Sequence, residues 1–149
     1  MQVILNVLSF DQENDPDVIG LIGASAALAI SSIPWSGPIA GVRIGAKEGK
    51  LVTNPNMSEM EGMDMDLLVA STKEKVVMIE TQAKQVENKT ILEGIKEAYS
   101  ESQKIIGLIE EFASEASREK QIVSHLEEDL EEALILEVTK ITKERIEAA

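Results

Sequence analysis

Two short acidic motifs carry the side chains of this sequence that are best suited to chemistry. The first is Asp15-Pro16-Asp17, in which aspartate suits the N-cap of a helix and proline suits the first helical position. A helix N-terminus attracts anions, because its first N–H groups are unpaired and carry partial positive charge. Two carboxylates already occupy that field here, and they would repel phosphate. A simple capping role for Asp15 and Asp17 is the alternative.

The second motif is the pair Asp64 and Asp66, which are two residues apart where a strand is predicted to begin. Residues at this spacing share one face of a strand, and carboxylate oxygens are ligands that Mg²⁺ takes from proteins. The pair is therefore a candidate metal site. Because a lone Asp-x-Asp pair is a weak signal, a metal-free pair facing solvent or the edge of a cleft is the alternative.

Other candidate residues have a structural explanation beside the functional one. His125 is the only histidine, and its acidic surroundings favour a surface position. Trp35 has a ring that is able to stack on a nucleobase, but its Pro- and Gly-rich loop favours packing at the edge of a core. The acidic run 127–132 is typical of a solvated helix face. Four methionines suggest a soft contact surface, for which burial against other parts of the protein is the simpler explanation: Met57, Met60, Met63 and Met65.

The first motif begins a segment with almost no polar side chains. A helix over residues 18–30 has no polar face, so we expect it to be buried on all sides. It is too short to span a bilayer. A loop with prolines and glycines follows at 33–38, and the run at 39–44 predicts a strand. A buried helix joined by a short loop to a strand is typical of a layered α/β domain.

The rest of the first part is predicted to consist of strands joined by turns. Lys47, Glu48, Gly49 and Lys50 predict a hairpin turn, and polar residues predict a second tight turn at 72–75. Between these turns, residues 54–62 form a loop or a short helical turn. The predicted strands, besides 39–44, are 3–9, 51–53, 65–71 and 76–80.

After Asn88 the apolar period changes from two residues to three or four, which predicts helices. Thr90 and Glu93 have the spacing of a capping box. The first apolar stripe comprises Ile91, Ile95, Ala98, Ser102, Ile105, Ile109, Phe112 and Ala116. The second comprises Ile122, Leu126, Leu130, Ala133, Leu134, Val138 and Ile141. No Gly or Pro lies at 117–120, so one continuous helix is the alternative to two helices at 90–117 and 119–147.

Composition excludes some classes of function. The 149 residues carry a net charge of −13, and both parts of the chain are acidic, whereas broad binding of nucleic acid needs clustered Lys and Arg. The absence of cysteine excludes disulfides and thiolate metal sites. The first residues have no basic region typical of a signal peptide. We therefore expect a soluble, cytoplasmic protein without a membrane anchor.

Three stretches together resemble a known family. They are DPDVIGLIGASAALAISSIPWSGPIAGVRIG at 15–45, LVTNP at 51–55 and MDMDLLVAST at 63–72. They are similar to the first RNase PH-type domain of bacterial polynucleotide phosphorylases (polyribonucleotide nucleotidyltransferases). The resemblance implies an α+β fold, with the C-terminal half of that domain, a mixed sheet with a buried helix, at 1–89. It also implies the start of the all-helical linker domain, with two amphipathic helices, at 90–149.

The resemblance implies a reaction in which inorganic phosphate attacks the 3′ end of RNA and releases nucleoside diphosphates, with Mg²⁺ as cofactor. In the family the second RNase PH-type domain carries this reaction. Its phosphate-binding serines correspond here to Asp15, Pro16 and Asp17. Its two carboxylates correspond to Met60 and Asp66, and its lysine corresponds to Leu68. Since only Asp66 keeps the required chemistry, we expect a catalytically silent copy without catalytic residues and without a bound metal.

The resemblance also implies partners. RNA and inorganic phosphate would bind through the full-length protein, which would form a homotrimer around an RNA channel. The chain itself would be a fragment, a cleavage product or part of a split gene, and it would associate with the missing half-domain or with itself. A free-standing acidic helical module for protein interaction is the alternative.

Overall fold

The computed structural model describes residues 2–122 and 128–147, and it confirms the predicted α+β class. The elements follow the chain in an order that places one helix before the sheet and two after it. They are α1 (Pro16–Ile30), β1 (Ala40–Lys47), β2 (Lys50–Thr53), α2 (Met57–Met60), β3 (Met65–Ser71), β4 (Val76–Ala83), α3 (Asn88–Ala116) and α4 (Glu128–Glu147).

The four described strands form one sheet in the order β2-β1-β3-β4, and every neighbouring pair is antiparallel. The expectation of a mixed sheet is therefore wrong for these strands. Tight turns join β1 to β2 and β3 to β4, and only antiparallel strands can be connected so briefly. Glu48 and Gly49 have positive φ angles of 50° and 75°, as the predicted hairpin turn requires.

The core lies between one face of this sheet and α3. Gly94 is the point of closest approach, because a Cβ atom there would lie 2.9 Å from Cδ2 of Leu67. The buried cluster is formed by Val42, Ile44, Ala46, Met65, Leu67, Val69 and Ala98. The boundary between residues 89 and 90 stays a prediction. That boundary assigns α3 to the helical part at 90–149. In the structure the buried face of α3 packs on β1 and β3.

Helix α1 begins as predicted, with Asp15 as N-cap and Pro16 at the first helical position. Its burial differs from the prediction. Only Ser25 of α1 is fully buried, and Ile19 is 68% exposed. The expectation of burial on all sides is wrong because, in the described part of the chain, α1 packs mainly against β1 and α3, which do not enclose it. Ser25 accepts a hydrogen bond from the Ile39 N–H (3.0 Å), which joins α1 to the entry of β1.

The segment after α3 crosses the C-terminal end of α1. Lys120 Nζ donates to the carbonyl oxygens of Leu28, Ala29 and Ser31 at 2.7–2.9 Å, where the partial negative charge of a helix end is concentrated. The backbone N–H of Arg118 donates to the Ile30 carbonyl at 3.0 Å. These contacts require α3 to end at Ala116, so the alternative of one continuous helix is wrong and the predicted boundary at 117–120 is confirmed.

The predicted strand at 3–9 and the predicted capping box at Thr90 are both wrong. Residues 3–9 form no strand, because no described strand lies beside them to complete a hydrogen-bonded ladder. The capping box at Thr90 does not form, because α3 begins two residues earlier, at Asn88, and places Thr90 inside the first turn. Its N-cap is Glu87, whose side chain makes no capping hydrogen bond.

The second predicted helix begins later than expected. Ile122 was predicted to open its apolar stripe, but it lies outside any helix and is 97% exposed. His125 and Leu126 lie outside the described residues, as does Glu127 at the start of the acidic run. Among the helices in the described ranges, none combines the length and apolar character needed to cross a membrane.

Candidate functional site

Arg43 gathers three of the predicted site carboxylates around one guanidinium. Its Nη1 lies 2.7 Å from Oδ2 of Asp15, and its Nη2 lies 2.7 Å from Oδ2 of Asp17. Its Nε lies 3.3 Å from Oδ1 of Asp66. We call these four residues the Arg43 cluster. It joins the start of α1 to strands β1 and β3.

Strand register explains how the cluster forms. Arg43 is paired with Leu68, and Asp66 is paired with Gly45. The side chains of Arg43, Leu68 and Asp66 therefore lie on the same face of the sheet. This face is opposite the one that α3 covers. Gly41 and Gly45 flank Arg43 on the same face because residues two apart in a strand point the same way.

Gly41 and Gly45 matter here because the absence of a side chain lets neighbouring side chains approach the strand closely. A Cβ atom at Gly41 would lie 2.6 Å from Cδ2 of Leu21, and one at Gly45 would lie 3.1 Å from Sδ of Met63. Leu21 therefore brings α1 down onto β1, next to Arg43. This close packing delivers the carboxylates at the start of α1 to the guanidinium.

The three ion pairs are not equivalent. The Arg43 side chain is only 16% exposed, whereas the three carboxylate side chains are 37–41% exposed. The contacts to Asp15 and Asp17 are also hydrogen bonds. Arg43 Nε and Asp66 Oδ1 are both buried and neither has a hydrogen-bond partner, so the contact between them is an ion pair by distance only.

The charges perturb one another in different directions. The hydrogen bond from Arg43 holds the pKa of Asp15 below its usual value. Burial raises the pKa of Asp17, because its carboxylate loses hydration beside a second carboxylate, and the charge of Arg43 only partly offsets this. Burial acts to lower the pKa of Arg43, but its hydrogen bond with Asp15 and the charges of Asp66 and Asp17 outweigh burial and raise it.

The remaining predicted site positions line the surroundings of the cluster. Leu68 borders a recess together with Asp17, Arg43 and Asp66. Met60, at the end of α2, borders a separate cleft of about 580 Å³ next to Asp66. The structure therefore brings these positions to one region. It places an apolar side chain at the two positions where the resemblance expects a carboxylate and a lysine.

The candidate metal pair is divided between two local contacts. Asp66 lies against Arg43, whereas Asp64 Oδ2 accepts a hydrogen bond from the Glu48 N–H at 3.3 Å. Within residues 2–122 and 128–147, no group of three or more His, Cys, Asp or Glu side chains is placed to hold a metal ion. At the Arg43 cluster the donors do not fit Mg²⁺, because the guanidinium already takes the place of a cation among Asp15, Asp17 and Asp66.

Among the other candidates, Trp35 has a structural role in the described chain. The Trp35 ring packs over Gly37, where a Cβ atom would lie 2.3–2.5 Å from ring carbons. Met63 and Met65 are buried, while Met57 is exposed and Met60 is half-buried. All four methionines line the cleft next to Asp66.

Arg43 was missed by the sequence analysis, although a signal for it exists. It is the only charged residue in the run from Ile33 to Ala46. A charge inside a strand that is otherwise apolar or glycine is rarely buried without a partner of opposite sign. That rule predicts a carboxylate partner, but it does not say which one.

Comparison with known proteins shows what this chain is similar to. The sequence profile of the "3' exoribonuclease family, domain 2" matches residues 37–101, which include β1, Arg43 and Asp66. The polyribonucleotide nucleotidyltransferase of Thermus thermophilus is 45% identical over 120 residues, and that of Deinococcus deserti is 47% identical over 119 residues. That of Alkaliphilus oremlandii is 43% identical over all 149 residues. These matches show that the chain is homologous to one part of the polyribonucleotide nucleotidyltransferases.

The match covers most of this chain but a small part of each relative. The aligned residues are 80% of this chain and 17% of the Thermus protein, and 100% of this chain and 21% of the Alkaliphilus protein. The crystal structure of rice Rrp46 superposes with a TM-score of 0.62 at 13% identity, covering 69% of this chain and 50% of that one. At this identity the superposition shows a shared fold.

Proposed function

We propose that this chain is a structural, catalytically silent part of a phosphate-dependent 3′→5′ exoribonuclease that releases nucleoside diphosphates from RNA. The names of its relatives and the match to an exoribonuclease domain support the overall activity. The Arg43 cluster supports the silent role. It lies where the family resemblance expects a phosphate site.

The electrostatics of the cluster oppose phosphate. Three carboxylates surround one guanidinium, so the cluster carries a formal charge of 3 × (−1) + 1 = −2. Pro16 removes one N–H donor from the helix start. Arg43, the cation of the cluster, already donates to Asp15 and Asp17. An incoming phosphate would have to displace both carboxylates while meeting their negative charge.

The proposal also covers properties of the whole protein of which this chain would be a part. By resemblance, we place RNA cleavage, phosphate binding and Mg²⁺ in the second RNase PH-type domain of a homotrimeric cytoplasmic enzyme. This chain would then contribute to the wall of the RNA channel. We assign Mg²⁺ no role at the Arg43 cluster.

The first test is an activity assay on the isolated chain. Poly(A), inorganic phosphate and Mg²⁺ are supplied, and release of nucleoside diphosphate is measured beside a full-length relative such as the Thermus enzyme. We expect release by the relative and none by the chain. Turnover by the pure chain would overturn the silent role.

The second test asks whether the carboxylates exclude phosphate. The variant Asp15→Ser/Pro16→Ser/Asp17→Ser frees Arg43 and restores hydroxyls and an N–H donor at the helix start. We expect phosphate to shift its amide NMR signals at 14–20, but not those of the parent. Asp11→Ser is the matched control, because it removes a nearby carboxylate that binds only Asn14 and Glu13. An equal response in parent and triple variant would show that Asp15 and Asp17 are simple caps.

A second candidate function is a free-standing acidic module for protein interaction. The exposed apolar side chains of α4 favour it. The genomic sequence upstream of Met1 separates the two candidates. The exoribonuclease proposal expects an RNase PH-type N-terminal half there, in the same or a neighbouring reading frame, and the module proposal expects none.

A further inference from the structure

Three methionines, Met57, Met60 and Met63, recur at intervals of three residues and line the same cleft next to Asp66. The cleft has a volume of about 580 Å³. Met57 is 46% exposed, Met60 is half-buried and Met63 is 8% exposed. Neither the Arg43 cluster nor the proposed exoribonuclease function gives these three thioether groups a role.

The local turn of the chain explains why the three side chains meet. Met57 and Met60 lie three residues apart in α2, and positions at this spacing are neighbours on a helix surface. After the helix, the N–H of Met63 donates to the Met60 carbonyl at 3.1 Å, and Gly62 has a positive φ of 92°. This second turn brings Met63 back beside α2.

Hydrogen bonds hold this turn at both ends. At its start, Asn56 Oδ1 accepts from the Glu59 N–H at 2.8 Å, and Glu59 Oε2 accepts from the Asn56 N–H at 2.9 Å. At its end, the Asp64 N–H donates to the Ala46 carbonyl at 2.8 Å. A preordered backbone lowers the entropy cost of binding a ligand through the side chains that it carries.

Met65 also lines the cleft, but its side chain does not belong with the other three. A Cβ atom at Gly45 would lie 3.1 Å from Sδ of Met63, so this sulfur lies on the sheet face of the Arg43 cluster. A Cβ atom at Gly94 would lie 3.2 Å from Cε of Met65, so this side chain extends toward α3 on the opposite face. The set of thioethers on the cleft side is therefore Met57, Met60 and Met63.

The chemistry of this set favours a soft cation. Thioether sulfur is a soft ligand that selects Cu(I), whereas Mg²⁺ and Ca²⁺ prefer oxygen ligands. Methionine has three rotatable bonds, which allow neighbouring sulfur atoms to converge on one ion. The cleft also carries the carboxylates of Glu61 and Asp64 against the single ammonium of Lys84, even when Asp66 is assigned to Arg43. This excess of negative charge favours a cation over an anion.

We propose that Met57, Met60 and Met63 bind one Cu(I) ion through their three sulfur atoms. All three ligands come from seven consecutive residues, so the site depends on the local turn. It uses no residue of the Arg43 cluster and is independent of the exoribonuclease proposal.

Methyl NMR of the full chain, labelled with ¹³C at the methionine methyl groups, tests the ligand set. Silver nitrate in chloride-free buffer supplies Ag(I), a soft monovalent ion that replaces Cu(I) without oxidation in air. We expect the signals of Met57, Met60 and Met63 to shift together and to saturate at one ion per chain. The signals of Met65 and of Met78, which is 39% exposed on β4, should not move. No shift of the three signals, or an equal shift of Met78, would overturn the proposal.

Competition with the Cu(I) chelator bicinchoninate under anaerobic conditions measures the affinity for Cu(I) itself. Met57→Leu/Met60→Leu removes two sulfur atoms and keeps similar apolar volume, and circular dichroism checks that its fold is intact. We expect this variant to bind Cu(I) at least about tenfold more weakly, because loss of even an outer contact of a metal site costs about 10–100-fold in affinity. Met78→Leu is the matched control and should bind as the parent does. Equal affinity of the parent and the double variant would refute the site.

A titration with magnesium chloride separates a thioether site from general attraction of cations. We expect Mg²⁺ to leave the methyl signals of Met57, Met60 and Met63 in place, because thioether sulfur is a poor ligand for a hard cation. Shifts as large as those caused by Ag(I) would show that the cleft responds to positive charge alone, and the assignment to Cu(I) would then be wrong.

Discussion

Replacement of Arg43 by methionine is the most direct test of the Arg43 cluster. Methionine keeps much of the length of the side chain but leaves Asp15, Asp17 and Asp66 without their shared cation. Removing one partner of a fully buried ion pair costs about 3–5 kcal/mol, whereas an exposed pair contributes about 0.2–1 kcal/mol. Arg43 is mostly buried and its partners are more than one-third exposed. We therefore expect Arg43→Met to lower the free energy of unfolding by about 2–3 kcal/mol.

Urea unfolding followed by far-ultraviolet circular dichroism measures this change, and the fluorescence of Trp35, the single tryptophan, gives an independent signal. Arg43→Lys is the matched control. It keeps the positive charge but loses the planar fork that reaches three carboxylates in fixed directions. We expect it to lose about 1 kcal/mol, less than Arg43→Met.

The same substitution in a neutralised background separates charge from packing. In the Asp15→Asn/Asp17→Asn/Asp66→Asn protein, Arg43→Met no longer leaves three carboxylates unpaired. We expect its cost to fall by at least about 1 kcal/mol, which is a coupling energy typical of residues in one network. An equal cost in both backgrounds, or a cost below about 0.5 kcal/mol in the parent, would refute the ion-pair explanation.

Three further predictions concern α1 and its ends. Lys120→Met removes a cation from the C-terminal carbonyls of α1 and should cost about 1–2 kcal/mol in urea unfolding, whereas Lys104→Met, on an exposed surface pair, should cost less than about 0.5 kcal/mol. Arg43 lowers the folded pKa of Asp15 from 3.8, so this carboxylate stabilises the fold above its unfolded pKa, and that stability is lost as pH falls through the folded pKa. Asp15→Asn should therefore lose less stability than the parent between about pH 7 and pH 3, as measured by urea midpoints. Gly23→Ala should raise the free energy of unfolding by about 0.5–1 kcal/mol, because nothing lies within 4 Å of the added Cβ in this helix; a lower melting temperature would contradict this.

Much of the fold was predictable because its signals are local. Asp15 and Pro16 define the start of α1 through their own capping geometry. The turn at Glu48 and Gly49 sets the β1–β2 hairpin through backbone angles that those residues tolerate. The apolar period after Asn88 identifies α3, and the alternating pattern at 65–71 identifies β3.

The errors arose where local signals meet tertiary context. Residues 3–9 have the composition of a strand, but a strand forms only beside another strand. Helix α1 is apolar on all sides, but its burial depends on which elements surround it. The end of α3 lacks a Gly or Pro, and it is set by contacts of residues 117–121 with the distant C-terminus of α1. The silent role of the predicted site positions, and their correspondence with the family, stay predictions.

By itself, the sequence determined most of the described helices and strands, the acidic character and the family resemblance of this chain, because capping, periodicity, charge and long similar stretches depend on neighbouring residues. Only the tertiary structure decided which charges meet. Asp15 and Asp17 reach Arg43 across 28 and 26 residues of chain, and they do so because Leu21 packs over Gly41 and holds α1 against β1. Asp66 arrives through the register of β3 against β1. Ion pairs depend on distances in space, and local sequence patterns do not contain those distances.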